Sequence, residues 1–111
     1  MVDIDRVLLF LQYKLDDSGL VDEYNLGLTE TTEDDKYTWY ITTNKRPFFE
    51  VRHDSSRSRF EIINHDLDSE PYWIVKLVLY AITTALEKQG YDVNIEYTAG
   101  KEEPEFAIYY S

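Results

Sequence analysis

The sequence predicts a single α+β domain over residues 1–111, in the order α-β-β-β-β-α-β-β, with two helices packed on one face of an antiparallel sheet. Three observations predict it. Two stretches repeat their apolar residues at helical spacing, short segments between and after them alternate apolar with polar residues, and the connections are too short for a linker. With 43% hydrophobic and 15% aromatic residues among 111, the chain can bury roughly 65% of its unfolded surface, and global disorder is excluded.

Residues 69–90, SEPYWIVKLVLYAITTALEKQG, form the longest periodic run. Asp68 or Ser69 can accept an unpaired N–H as N-cap, and Pro71 falls in the first turn, where its missing N–H costs little. Gly90 stands where a left-handed residue would end the helix, with Lys88 at its negative end. Lys76, Tyr80, Thr83 and Glu87 share one narrow stripe, and apolar residues take up most of the circumference. Such a helix needs cover on more than one side.

The first helix spans residues 3–15. Asp3 is its N-cap, Ile4, Val7, Leu8, Leu11 and Leu15 make one buried face, and Phe10 and Tyr13 widen it. The run Asp16, Asp17, Ser18, Gly19 ends it as a turn; the alternating ligand pattern of a calcium loop is missing.

Four strands follow, at residues 24–30, 37–43, 48–53 and 59–64. Leu28, Trp39, Ile41, Phe49, Val51, Phe60 and Ile62 point inward, and Pro47 is tolerated at a strand start. The alternation predicts a sheet with one wet face. Pairing residues whose numbers sum to 111 would set Phe49 opposite Ile62 and Val51 opposite Phe60, with 54–57 as the turn. The same register sets Glu50 opposite Glu61 and Arg52 opposite Arg59. After the second helix, residues 91–97 and 106–110 form a hairpin.

Charge is the outlier of composition, at −11. Residues 1–35 hold ten acids and two bases, residues 66–111 nine acids and three bases, and residues 36–65 three acids and six bases. This field repels phosphates, so direct nucleic-acid binding and attachment to anionic membrane are not expected. There is no cysteine, hence no disulfide or thiolate chemistry. No signal-peptide pattern or membrane span is read, and a cytoplasmic, soluble protein is the expectation.

Catalytic chemistry is sparse. His53 and His65 each precede an aspartate, but the predicted hairpin sets them roughly 23 Å apart at ~3.3 Å per residue, too far to share a metal. They read as surface histidines. Ser55 and Ser56 lack a nucleophile elbow and a relay, the four glycines form no phosphate loop, and residues 102–105 read as a solvated acidic turn. No enzyme, metal or cofactor is expected.

Aromatic content carries the remaining signal, with ten tyrosines. Strand parity puts Tyr40, Phe48, Arg52, Arg59 and Tyr109 on the wet face, and tyrosine with arginine is interface composition. The expectation is a non-enzymatic protein-binding or self-associating domain, using that face or an exposed edge strand. The alternative is an acidic mimic of nucleic acid that inhibits a DNA- or RNA-handling enzyme, through Asp16, Asp17, Asp22, Glu23, Glu33, Asp34 and Asp35. A small-molecule pocket between helix and sheet stands third. The order helix, meander, long helix, hairpin resembles type III secretion chaperones and related small chaperone-like domains. The resemblance is one of topology across the whole chain, without a shared motif or a final helix, and it implies protein binding.

Overall fold

A computed structural model of the chain describes residues 2–17, 27–33, 36–43, 46–64, 72–97 and 106–111. Its elements are α1 (Ile4–Asp17), β1 (Gly27–Glu33), β2 (Lys36–Thr43), β3 (Arg46–Asp54), β4 (Arg59–Asn64), α2 (Tyr72–Lys88), β5 (Val93–Tyr97) and β6 (Phe106–Tyr110). The predicted order and class hold. The six strands form one antiparallel sheet in the order β1-β2-β3-β4-β6-β5. After the β1 to β4 meander the chain passes through α2 to the far edge, lays down β5, and returns as β6 into the place beside β4.

Both helices cover one face. Val7, Leu11 and Leu15 of α1 and Val75, Val78, Ala81, Ile82, Ala85 and Leu86 of α2 share a core with Trp39, Val51, Phe60, Ile62, Ile108 and Tyr110 of the sheet. The stripe predicted for α2 is where it was expected: Lys76, Tyr80 and Glu87 are exposed and Thr83 is half-buried. Tyr13 departs from expectation. It is 59% exposed and Leu9 is 71% exposed, because both point away from the Val7, Leu11, Leu15 stripe that meets the sheet.

Two helix ends follow the predicted chemistry; Asp16 and Asp17, expected in a turn, are instead the last residues of α1, and Asp68, Ser69 and Pro71 lie outside the described residues. The Asp3 carboxylate accepts the Arg6 N–H at 3.2 Å, as an N-cap does at the third helical position. Asp3 also donates its own N–H to Gln89 Oε1 at 2.8 Å, and Gln89 Nε2 donates back to the Asp3 carbonyl at 3.0 Å. This reciprocal clamp fastens the start of α1 to the end of α2 and sets the helices antiparallel. Gly90, at φ 90°, ends α2 in a Schellman motif: its N–H reaches the Glu87 carbonyl at 3.0 Å and the Tyr91 N–H reaches Leu86 at 3.2 Å. A β-carbon at Gly90 would meet nothing within 4 Å, so only backbone strain opposes one. Gly90→Ala is therefore expected to cost about 1 kcal/mol, read as a lower midpoint in urea with an unchanged slope.

The β3–β4 register differs from the prediction by two residues. Val51 faces Ile62, His53 faces Phe60, and Glu50 faces Ile63. The loop is Ser55 to Ser58, with Ser58 left-handed at φ 50° and its N–H directed to the Ser55 carbonyl at 3.4 Å. Asp54 braces it, accepting from the Ser56 N–H at 3.1 Å and the Ser56 hydroxyl at 2.6 Å. The shift removes the like-charge oppositions of the predicted register: Arg52 now faces Glu61 and Asp54 faces Arg59. Because the shift is by two, every side chain keeps its face. His53 consequently lies on the helix-covered face and is 2% exposed, which corrects its reading as a surface histidine. The β2–β3 register slips between Ile41 and Thr42 of β2, so that Phe48 is the extra, bulged residue of β3.

Candidate functional site

On the face away from the helices, β3, β4 and β6 bring together three of the residues singled out from sequence: Arg52, Arg59 and Tyr109. Arg52 bonds Glu50, through Nη2 at 2.8 Å and Nε at 2.9 Å. Arg59 lies 3.5 Å from Glu61 and donates to the Tyr109 hydroxyl at 2.9 Å. Its guanidinium carbon is 5.7 Å from the Tyr109 ring centre, in cation–π range. Tyr40 lies opposite Glu50, which places it by backbone in the same row, and Phe48 stands at the bulge.

This face is not wet at its centre. Glu50 is 5%, Ile63 2% and Ala107 4% exposed, and the side chain of Arg59 is 12% exposed. The charges turn toward one another along each strand, since a buried ion must be paired to offset its desolvation. A patch whose cations are occupied by their own carboxylates has little left to offer a partner.

His53 heads an internal aromatic cluster. Its Nε2 and the Tyr110 hydroxyl share a hydrogen bond of 2.6 Å. Its ring is 4.7 Å from Phe60 and stacked on Tyr110 at 5.9 Å, and Tyr91 meets Tyr110 edge-on at 5.2 Å. Burial lowers the His53 pKa, with Asp54 opposing in part, and burial raises that of Tyr110. Both groups are thereby held neutral, as a packed core requires. Hydrogen bonds from Ser56 hold the Asp54 carboxyl below its ordinary range.

The opposite surface of the molecule, where α1 and α2 face outward, was not anticipated. A groove of about 410 Å³ runs between them, within the ~300–1,000 Å³ of ligand clefts. Leu9, Phe10 and Tyr13 line it from α1 and Ala85 from α2, with Arg6, Lys88 and Gln89 at its rim. Lys88 Nζ is 4.8 Å from the Phe10 ring centre, and Lys14 Nζ is within 5.5–5.9 Å of Phe10, Tyr13 and Tyr80. Tyr80 is 57% exposed. Of the two bases of the first 35 residues, Lys14 stands beside these rings and Arg6 lines the groove while paired with Asp3 at 3.4 Å. The signal was present in the sequence: Leu9 and Tyr13 sit off the buried stripe, at helical spacing with Arg6.

Of the acidic set, Asp16 and Asp17 are exposed at the end of α1, and Asp16 accepts from Gln12 at 3.0 Å. Glu33 lies opposite Lys36. Asp22, Glu23, Asp34, Asp35 and His65 fall outside the described residues. Among the described residues no three histidine or carboxylate side chains converge to hold a metal ion, and no helix is long and apolar enough to cross a membrane. No protein-family model, curated protein or solved structure matches the chain, so the topological resemblance to type III secretion chaperones has no structural match behind it.

Proposed function

We propose that this chain is a non-enzymatic protein-binding domain that docks an apolar, carboxylate-bearing segment of a partner in the groove between α1 and α2. One observation carries the reading. On a chain of net charge −11, Lys14 and Lys88 stand over half-buried Phe10 and Lys14 also over exposed Tyr13, while Arg6, exposed although paired with Asp3 at 3.4 Å, lines the groove beside exposed Leu9. Apolar side chains at i, i+4 spacing on a partner helix would fill the groove, and its carboxylates would meet the cations at the rim. Arg52, Arg59 and Tyr109 are engaged with neighbours on their own sheet face, which makes that face the weaker candidate.

The test is anisotropy with two fluorescein-labelled amphipathic helical peptides sharing one leucine stripe, one bearing glutamates and the other lysines. Net charge alone would favour the lysine peptide; the groove favours the glutamate peptide. Leu9→Ser and Tyr13→Ser are each expected to weaken glutamate-peptide binding about tenfold, which is ~1.4 kcal/mol, with the circular dichroism unchanged. Preference for the lysine peptide, or indifference to both substitutions, would reject the reading.

A further inference from the structure

We infer that β5 is a self-association edge, through which two copies of this chain join antiparallel about a twofold axis centred on Ile95. β5 ends the sheet. Residues 94–97 are all exposed, including Ile95 at 49% and Tyr97 at 58%. A sheet edge is ordinarily blunted by shortness, charged side chains, proline, a bulge or a cover, and of these β5 has its five-residue length and one charge, Glu96. β5 reads VNIEY and pairs with β6 through five unbroken positions. It has no proline, lysine or bulge. The opposite edge, β1, reads GLTETTE, with one large apolar residue and two glutamates.

The hydrogen-bond phase of β5 selects the pairing. Asp92 and Ser111 exchange both backbone hydrogen bonds at 3.0 Å. Bonded and non-bonded positions alternate along an antiparallel ladder, so Asn94 and Glu96 also direct their backbone groups to β6. Val93, Ile95 and Tyr97 direct theirs to the free edge. A second copy centred on Ile95 then sets Ile95 opposite Ile95, Val93 opposite Tyr97, and Asn94 opposite Glu96. All three outward-facing residues fall at bonded positions, giving about six intermolecular hydrogen bonds.

The side chains agree with that phase. Val93, Ile95 and Tyr97 of both copies form one apolar row on the helix side, continued inward by Ile108 and by Phe106, whose ring stacks on Tyr97 at 4.7 Å. On the other side no like charges are directly opposed, since each Glu96 meets an asparagine. The contact is isologous and closes as a dimer. A five-residue strand pair lies at the small end of interface sizes, and two chains of −11 repel. The dimer therefore forms weakly and is strengthened by added salt, which screens that repulsion.

This inference is independent of the α1–α2 groove, and one experiment separates them. The chain has no cysteine, so Ile95→Cys introduces a single thiol. Bonded antiparallel partners sit about 5.5 Å apart at Cα, within disulfide range. Under mild oxidation at 100 µM, Ile95→Cys is expected to become mostly disulfide-linked dimer. Tyr97→Cys, whose twofold mate lies about 13 Å along the strand, is expected to stay at least tenfold less linked. Sedimentation velocity from 1 to 500 µM should show a dimer that grows with salt, is abolished by Ile95→Lys, and is unaffected by Leu9→Ser. A monomer at every concentration, equal cross-linking of the two cysteine variants, or a dimer that survives Ile95→Lys would overturn it.

Discussion

Phe60→Ala is expected to lower the stability of the fold by about 3–5 kcal/mol, a large share of the ~5–15 kcal/mol available to a domain. Phe60 is fully buried in β4, between His53 of β3 and Ile108 of β6 across the ladders. Its ring is 4.7 Å from the His53 ring and 6.0 Å from that of Tyr110. Removing it leaves a cavity against a buried polar ring. The surroundings have little freedom to collapse there, because His53 is tied to Tyr110 and the strands are paired on both sides. Urea unfolding should show the loss as a lower midpoint. Phe60→Leu, which keeps most of the volume, is expected to cost less than half as much. A loss under about 1.5 kcal/mol for the alanine variant would mean that Phe60 is not the centre of this core.

The second large effect is a fall in stability with acid, carried by His53. Its pKa in the unfolded chain is near 6.5 and is lowered in the fold. Above pH 6.5 both states hold the neutral ring and nothing is lost. As pH falls through 6.5 the unfolded chain takes up a proton that the folded chain refuses. Stability then declines by up to ~1.4 kcal/mol per pH unit until the lower folded pKa is reached. Asp54 opposes this by charge, and Tyr110, whose pKa burial raises, is neutral there. His53→Phe should flatten the slope between pH 6.5 and 5, whatever constant offset comes from the unpaired Tyr110 hydroxyl. All other groups are common to both proteins, so the difference of slopes isolates His53. Parallel stability curves would show that His53 is freely protonated in the fold.

Much of the fold was legible because local chemistry announces it. Asp3 and Gly90 cap their helices as their residue types dictate, and the parity of Trp39, Val51, Phe60 and Ile62 survives even a two-residue error in register. The candidate site was less legible. Tyr13 reads as widening the buried face of the first helix and Leu9 carries no reading, because periodicity cannot tell a widened core face from a second, exposed one. The cations that mark the groove come from positions 6, 14 and 88, and nothing in the sequence places position 88 beside the other two. His53 misled for a related reason: a histidine beside a turn is ordinarily at the surface, and its burial depends on Tyr110, 57 residues away.

By itself the sequence determined the class, the order of elements, the caps at Asp3 and Gly90 and the inward parity of Trp39, Val51, Phe60 and Ile62, since these follow from propensity and period within a few residues. Tertiary structure alone decided where the final hairpin enters the sheet, with β6 against β4 and β5 left as an edge. It also decided that the sheet's second face spends its charges on itself, and that α1 and α2 meet with aromatic rings and cations outward. Those outcomes depend on pairings across long stretches of chain, where the gain lies in satisfying backbone hydrogen bonds and buried charge together, and no local pattern encodes that balance.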